Sequence, residues 1–374
     1  MLRCRFVSRW SLSILLGAAV LLVPRGAAAQ SPNCTAAVPN DAYSDSSAIN
    51  SCLSGGGTVI LEDSGVYIID ATLVLSVDGT TLRGQSCCTN WPILRAHPDL
   101  FEPILEAPDT ADNYTLMYIE LDGNLDNRTY ADQCEGYRDF GTNARIKGSG
   151  FHLDWVTSIN AMCGSSMEVE GSGFEIENSV FSKNGLGIGE TYYSDEPWSD
   201  GLTLLTCDGG WVHDNNMWDN TDIGLVVGNG EECTIEYNYI TQTDKHAFAG
   251  FHVGYFNSGD QSGSVYSNNQ IGSYEDMMAF GLMVGMHPWN PSLTVVDAGS
   301  VVENEIDGAV INLAIDGISD GLVDDNTTSN AQGTVGFNGC ANSYAGEEYT
   351  AAHYGSATIQ SGSIAIYFHG SCYD

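Results

Sequence analysis

The chain is poor in basic residues, contains few prolines and has no long apolar run after its first thirty residues. It carries 12 Lys and Arg against 48 Asp and Glu, which gives a net charge of −36 at pH 7. Binding to nucleic acids or anionic membranes depends largely on cationic neutralisation, so this balance predicts neither as a partner. No later apolar run approaches the roughly 20 residues of a membrane helix, which predicts no membrane insertion.

Residues 1–29 have the composition of a secretory signal peptide. They contain four arginines and no acidic residue, followed by an apolar run and a terminal run of alanines. Without them, eight Lys and Arg face 48 acids, and the net charge is near −40. We therefore predict one mature domain over 30–374, because no linker is visible. We expect it to be secreted or extracellular, with the periplasm or the cell surface as alternatives.

Eleven cysteines are present, and ten of them follow the signal segment. An even number in an exported chain predicts disulfide bonds, although the pairing cannot be deduced from the sequence. We expect Cys34 to pair with Cys52 and Cys340 with Cys372, because each bond would tie down one end of the chain.

Two short phrases alternate along the chain at intervals of about 22 to 36 residues. The first phrase contains a glycine, at Gly201, Gly224, Gly250 and Gly281, with Val310 in the same slot. The second contains an asparagine, at Asn178, Asn215, Asn238, Asn268, Asn304 and Asn326. The strands show period-2 patterns without a helical 3.6 pattern, so each repeat buries its strands only by stacking on its neighbours. The repeats predict a solenoid of parallel strands with about nine or ten coils, roughly 4.8 Å apart.

These residues resemble the right-handed parallel β-helix proteins of the pectin-lyase-like superfamily. The segment "SSAINSCLSGGGTVILEDSGVYIIDATLVLSVDGTTLRG" (46–84) is similar to their capping helix and first coil. The resemblance implies an all-β fold with a short helix over 46–53 and a second cap over 341–374. It also implies that the strand after the glycine slot lies in the first sheet, whose outer face usually carries substrate.

Alternate residues of a strand point to opposite faces, so the middle residue of each glycine phrase points outward when its apolar neighbours point inward. The predicted outward column is Arg145, Glu168, Thr203, Val226, His252, Met283 and Asn312.

The candidate substrate-binding residues are polar and aromatic side chains at and beside this column. The set comprises Arg145, Lys147, Glu168, Glu170, Tyr192, Tyr193, Trp198 and Asp200. The charged residues alternate in sign between coils, so they fit either a sugar subsite or a cross-strand salt-bridge ladder. Aromatic rings in the insertion 190–200 fit either stacking on a sugar or packing against the rod.

The candidate catalytic residues cluster around one strand of the repeat. His252 is the predicted base or acid, with Lys245, His246 or His287 as its partner and Asp222 as an orienting group or ligand. A neutral histidine accepts a proton near pH 7, which is the reason for this choice. Incidental turn and surface histidines are the alternative explanation.

Three functions fit this sequence, and all have a polysaccharide as partner. A lyase or epimerase acting on a uronate-containing glycan leads, and a bound Ca²⁺ is the cofactor that its chemistry admits. A glycoside hydrolase with two carboxylates is the first alternative. A non-catalytic glycan-binding or adhesive rod is the second. The polygalacturonase pattern is matched only by "NTD" (220–222) and "RIK" (145–147), which stand in the wrong order.

Overall fold

The computed structural model describes residues 34–87, 90–128, 134, 141–186, 198–254, 260–274, 277–285, 296–315, 317–331 and 358–359. One α-helix, α1 (Ser46–Leu53), precedes the strands of this part of the chain. A single turn of 3₁₀ helix spans Leu125–Asn127. None of the described helices is long and apolar enough to cross a membrane.

The strands of the first half of the chain are β1 Thr58–Leu61, β2 Val66–Ile69, β3 Leu73–Val74, β4 Thr81–Gly84, β5 Ile93–Ala96, β6 Leu105–Ala107, β7 Thr115–Asp122, β8 Ala144–Ser149, β9 His152–Ile159, β10 Gly164–Ser172, β11 Glu175–Glu177 and β12 Val180–Ser182. Those of the second half are β13 Ser199–Asp208, β14 Trp211–His213, β15 Asn216–Trp218, β16 Ile223–Asn229, β17 Thr234–Glu236, β18 Tyr239–Gln242, β19 Ala247–Val253, β20 Val265–Ser267, β21 Gln270–Ser273, β22 Met278–Val284, β23 Val296–Val302, β24 Glu305–Asp307, β25 Ile311–Ile315, β26 Ile318–Asp324, β27 Thr327–Ser329 and β28 Thr358–Ile359.

The described strands pair in parallel and form a solenoid, as the repeats predict. We call the nine-stranded sheet formed by β3, β6, β8, β10, β13, β16, β19, β22 and β25 the first sheet. The remaining 19 strands form two columns. The two columns make one sheet because β7 and β9 run through both of them. The all-β fold with an N-terminal capping helix is therefore confirmed, and the helix covers the predicted residues 46–53.

The interior of the solenoid is a continuous apolar column. The inward side chains predicted from the repeat, Leu225, Val227, Leu282 and Val284, are fully buried in it. At the glycine slot of the first-sheet strands, the regular alternation of inward and outward side chains changes phase. Ile223 lies in a second apolar cluster outside the sheet, whereas Leu225 lies in the interior. A β-carbon on Gly224 would lie 2.6 Å from the Ile240 side chain, which explains why this slot holds glycine.

The bend between the two columns of the large sheet repeats a two-residue unit. The first residue has a left-handed backbone, as at Asp214 (φ 55°), Tyr237 (φ 56°) and Asn268 (φ 56°). The second residue points inward, and its side-chain amide bonds to the next coil. The inward amide ladder runs through Asn215, Asn238, Asn269, Asn304 and Asn326, and the backbone N–H of Ser179 donates to the side-chain oxygen of Asn215.

Two positions of the predicted asparagine column are therefore wrong. Asn178 and Asn268 occupy the left-handed position, at φ 52° and φ 56°, and the ladder continues through the residue after each of them. Both positions tolerate asparagine, because its short polar side chain is compatible with left-handed backbone. Because Asn268 and Asn269 are adjacent, the sequence alone did not indicate which of them bonds to the neighbouring coils.

Disulfide bonds link neighbouring segments of the rod. The predicted bond between Cys34 and Cys52 is present and ties the N-terminal segment to α1. Two further bonds join Cys134 to Cys163 and Cys207 to Cys233. Cys340 and Cys372 lie outside the described residues, as does the predicted signal peptide 1–29. Within the predicted C-terminal cap 341–374, only Thr358–Ile359 is described, and it pairs with β26.

Candidate functional site

The register of the first sheet aligns the predicted outward column. Arg145 pairs with Glu168, and Glu168 pairs with Thr203. The column continues through Val226, His252 and Met283. These six positions confirm the alignment of the glycine phrases.

The last predicted member of the column is wrong. Met283 pairs with Ala314, whereas Asn312 lies opposite Gly281, between the pairs Phe280–Ile311 and Leu282–Leu313. The amide of Asn312 is buried, and it donates to the carbonyl of Ser329 (2.6 Å). Asn312 therefore occupies the glycine slot. The sequence prediction places this slot at Val310, which is two residues too early.

The N-terminal half of the column is a partly exposed network of charged side chains. Nε of Arg145 lies 3.2 Å from Oε2 of Glu168, and NH1 of Arg145 lies 3.7 Å from Oε1 of Glu106. On the same strands, Nζ of Lys147 lies 2.7 Å from Oε2 of Glu170. The side chains of Arg145 and Glu168 are 25% and 20% exposed, so a ligand is able to reach them. Glu106 escaped the sequence reasoning because its strand, β6, precedes the first clear repeat.

Asp200, the second residue of β13, belongs to the same network. Its Oδ2 accepts hydrogen bonds from the hydroxyls of Thr203 (2.8 Å) and Ser165 (3.4 Å). Its Oδ1 accepts one from the backbone N–H of Ile223 (3.1 Å). Desolvation by burial of the carboxyl raises the pKa of Asp200 to about 7, and the charge of Glu168 adds to this rise. The three donors lower the pKa but do not offset burial.

The two carboxyl groups of this network are therefore placed in different electrostatic environments. Glu168 forms an ion pair with Arg145, while burial favours the protonated form of Asp200. Two carboxyl groups in different environments are able to divide acid and base roles. Ser165 was missed by sequence reasoning, because it reaches Asp200 only through the pairing of β10 with β13.

The C-terminal half of the column has the opposite character. Val226, His252, Met283 and Ala314 are all fully buried in the described structure. Nε2 of His252 donates to the carbonyl oxygen of Gly285 (3.1 Å). Burial lowers the pKa of His252 to about 4, and this hydrogen bond opposes the shift. The expected cleft around His252 is therefore absent at its side chain, and its catalytic role stays a prediction that this burial does not favour.

Of the other predicted catalytic residues, Lys245 and His246 lie in the turn before β19, and Asp222 directly precedes β16. Nζ of Lys245 donates to the carbonyl oxygens of Lys183 (3.1 Å) and Gly185 (2.7 Å). Burial lowers the pKa of Lys245 to about 8. Asp222 is buried, and its backbone carbonyl accepts hydrogen bonds from the first residues of β19. His246 is partly buried beside Lys245.

Three predicted site residues, His287, Tyr192 and Tyr193, lie outside the described residues. Trp198 is described and partly buried, directly before β13. It therefore lies two residues from Asp200, and its contact with a sugar stays a prediction.

Comparison with known proteins agrees with this architecture. A family model described as a right handed beta helix region matches residues 132–284. The chain is a right-handed parallel β-helix. No curated protein sequence matches it.

Solved structures resemble this β-helix at low sequence identity. The family 28 exopolygalacturonase of Yersinia enterocolitica is 13% identical over 80% of this chain and 65% of that chain, with a TM-score of 0.54. The N-terminal fragment of bacteriophage Phi29 gene product 12 is 13% identical over 80% of this chain and 53% of that chain, with a TM-score of 0.50. The A-module of Azotobacter vinelandii mannuronan C-5 epimerase AlgE4 is 13% identical over 88% of this chain and 99% of that chain, with a TM-score of 0.48. Identities this low establish the fold alone.

Proposed function

We propose that this β-helix is an extracellular carbohydrate-active enzyme that cleaves a glycosidic linkage at the outer face of its first sheet. One observation carries the proposal. Asp200, with three hydrogen-bond donors, lies in the same partly exposed network as Glu168, which is paired with Arg145. One of the solved structures with this fold is by name an exopolygalacturonase, which is an analogy of fold and not of site. The disulfide bonds are typical of an oxidising, extracellular environment.

The chemistry assigns a different role to each carboxyl group. Protonated Asp200 donates its proton to the departing glycosidic oxygen, because its pKa of about 7 keeps part of the population protonated at neutral pH. Ionised Glu168 acts as the second carboxylate, either as the base that activates water or as the nucleophile. Arg145 forms an ion pair with Glu168, and Thr203 orients Asp200.

A uronate lyase or epimerase is the second candidate, and the adjacent cations favour it. Arg145 and Lys147 lie on one strand, beside Glu168 and Glu170 respectively. There they are able to neutralise a sugar carboxylate. Both cations are already paired with glutamates, so an acidic substrate must displace Glu168 or Glu170 or bring a bridging Ca²⁺. The requirement for Ca²⁺ stays a prediction, and its test is activity with and without a chelator.

A glycan panel distinguishes these reactions. The secreted protein is incubated with neutral and uronate-containing polysaccharides, and both new reducing ends and unsaturated uronate absorbance are measured. New reducing ends without absorbance support hydrolysis, and both signals together support β-elimination. Epimerisation gives neither signal, so the uronate configuration is also followed by NMR. Absence of all three changes over the whole panel would instead indicate a binding rod and contradict the proposal.

Two substitutions assign the roles on the substrate that the panel identifies. Asp200→Asn and Glu168→Gln preserve shape and remove the titrating groups, so each should lower turnover about 10²–10⁴-fold. Asp208→Asn is the matched control, because Asp208 is an exposed acid at the end of the same strand as Asp200. Near-normal turnover in Asp200→Asn, with a native circular dichroism spectrum, would move the chemistry to another part of the surface.

A further inference from the structure

A second cluster of titratable side chains lies away from the first sheet, on three adjacent strands of the large sheet. Glu175 of β11 pairs with His152 of β9 and with Trp211 of β14. Two residues further along, Glu177 pairs with His213 of β14. Residues two apart in a strand share a face, so these histidines and glutamates form one patch across three coils.

Three side chains of this patch converge on one point. Nε2 of His152 lies 3.0 Å from Oε1 of Glu177 and 3.8 Å from Oε2 of Glu175. One ligand atom from each of the three residues lies within 4.8 Å of the other two. A tetrahedral cation with bonds of about 2.0–2.2 Å holds its ligand atoms roughly 3.3–3.6 Å apart, so only small side-chain adjustments are needed. The three side chains are 25–38% exposed, which leaves a path for an ion from solvent.

The other carboxylate oxygen of each glutamate lies within hydrogen-bonding distance of a further side chain. The side-chain amide of Asn178 donates to Oε2 of Glu177 (2.8 Å). Nε2 of His213 lies 3.2 Å from Oε1 of Glu175, and Nδ1 of the same ring lies 2.8 Å from a carboxylate oxygen of Asp214. Each carboxylate is thus fixed with one oxygen turned toward His152. Hydrogen bonds of this kind are a recurrent feature of metal-binding carboxylates, because they orient the ligand before the ion arrives.

We propose that His152, Glu175 and Glu177 form a binding site for a first-row divalent cation, with Zn²⁺ as the representative ion. An imidazole nitrogen with two carboxylate oxygens suits zinc-type ions, whereas Ca²⁺ and Mg²⁺ prefer oxygen ligands alone. Two carboxylates and a neutral imidazole balance the charge of the ion, and water completes its coordination. The ion joins β9 to β11, and so links two successive coils.

Calorimetric titration of the protein with ZnCl₂ tests the site. The protein carries no histidine tag, and excess Mg²⁺ is present to occupy the acidic surface. We expect about one Zn²⁺ per chain with micromolar or tighter affinity, and loss of this binding in His152→Ala. His97→Ala is the matched control, because His97 also lies beside an acid, 3.7 Å from Asp99, but belongs to no group of three described ligand residues close enough to hold an ion. Equal zinc binding by wild type and His152→Ala, or no binding by either, would overturn the proposal.

A second variant tests the geometry without removing a ligand. Asn178→Gly removes the amide that holds Glu177, and glycine adopts the left-handed backbone of this position (φ 52°) without strain. Loss of such an orienting partner typically weakens metal affinity about 10–100-fold, and we expect this range here. Titration with Co²⁺ adds a spectroscopic signature, since its weak visible absorption bands in water become much more intense when protein ligands hold the ion in tetrahedral coordination. Unchanged affinity in Asn178→Gly, or identical Co²⁺ bands in His152→Ala, would contradict the assignment.

Discussion

The two halves of the outward column share a backbone geometry and differ in what surrounds them. In the N-terminal half, Arg145 and Glu168 are partly exposed and lie in a network of charged groups. In the C-terminal half, Val226, His252 and Met283 have no exposed surface. The outer face of these later strands forms a second apolar cluster, which includes Phe248 and Phe280 as well as Val226, Met283 and Ala314.

This difference teaches that strand period determines the direction of a side chain but not its exposure. The sequence contains a signal for the difference that period alone does not use. The earlier strands alternate apolar and charged residues, as in "ARIKGS" and "MEVEGS", whereas the later ones are nearly continuous apolar runs, "AFAGFHV" and "MAFGLMV". Continuous apolar runs are typical of parallel strands that are buried on both faces. The proposed function therefore lies in the first half of the column, and the buried second half contributes to stability.

The largest expected effect on stability separates the two halves directly. His252→Ala removes a fully buried ring between coils and leaves a cavity, so it should lower the free energy of unfolding by about 2–4 kcal/mol. Arg145→Ala, in the same column, should cost about 1 kcal/mol or less, because its ion pairs are partly exposed. Chemical denaturation of both variants measures this contrast. Unchanged stability of His252→Ala together with a large loss of turnover would instead restore the catalytic role predicted from the sequence.

The next effect concerns the amide ladder, which runs through the coils of the buried half. Asn269 makes hydrogen bonds to Asn238 and Asn304 and to two backbone carbonyls. Asn269→Ala removes these buried hydrogen bonds and should cost about 2–3 kcal/mol in the free energy of unfolding. Asn268→Gly, at the adjacent left-handed position, should change it by about 0.5 kcal/mol or less. Equal costs from urea titrations of the two variants would show that the ladder is not the stabilising element.

Stability should depend on pH through Asp200, in the N-terminal half of the column. The folded-state pKa of Asp200 is about 7, above that of an unfolded aspartate, so the unfolded chain releases this proton first. Stability from this group is therefore complete below about pH 4 and is lost as the pH rises toward about 7. Asp200→Asn removes the loss, so its melting temperature relative to wild type should be higher at about pH 8 than at about pH 5. A difference that is the same at both pH values, as expected for the control Asp208→Asn, would contradict the raised pKa.

The smallest expected effect comes from the exposed edge of the network. The side chains of Lys147 and Glu170 are 42% and 48% exposed, and solvent screens their attraction. A double-mutant cycle with Lys147→Ala and Glu170→Ala should give a coupling energy of about 0.2–1 kcal/mol, smaller in high salt. Such a value fits a cross-strand ion pair that a substrate is able to displace. A coupling well above this range would indicate a structural pair and weaken the case for substrate contact.

Residues with local or periodic signals were predictable from the sequence. The repeat of apolar residues predicted the solenoid and the inward column, because period 2 assigns each side chain to a face. The same period aligned the outward column from Arg145 to Met283 across coils of different length. The bond between Cys34 and Cys52 and the helix over 46–53 followed from the need to close an exposed end.

Tertiary structure decided the contacts between coils, because these join residues far apart in the chain. Ser165 reaches Asp200 and His152 reaches Glu177 only after coils of particular lengths stack in a particular register. The same stacking buried His252, which raises the cost of charging its ring and lowers its pKa. The amino-acid sequence by itself thus determined the repeat, the direction of each side chain and the available chemical groups. Stacking determined which groups meet and which of them lose their water, and those two properties govern their chemistry.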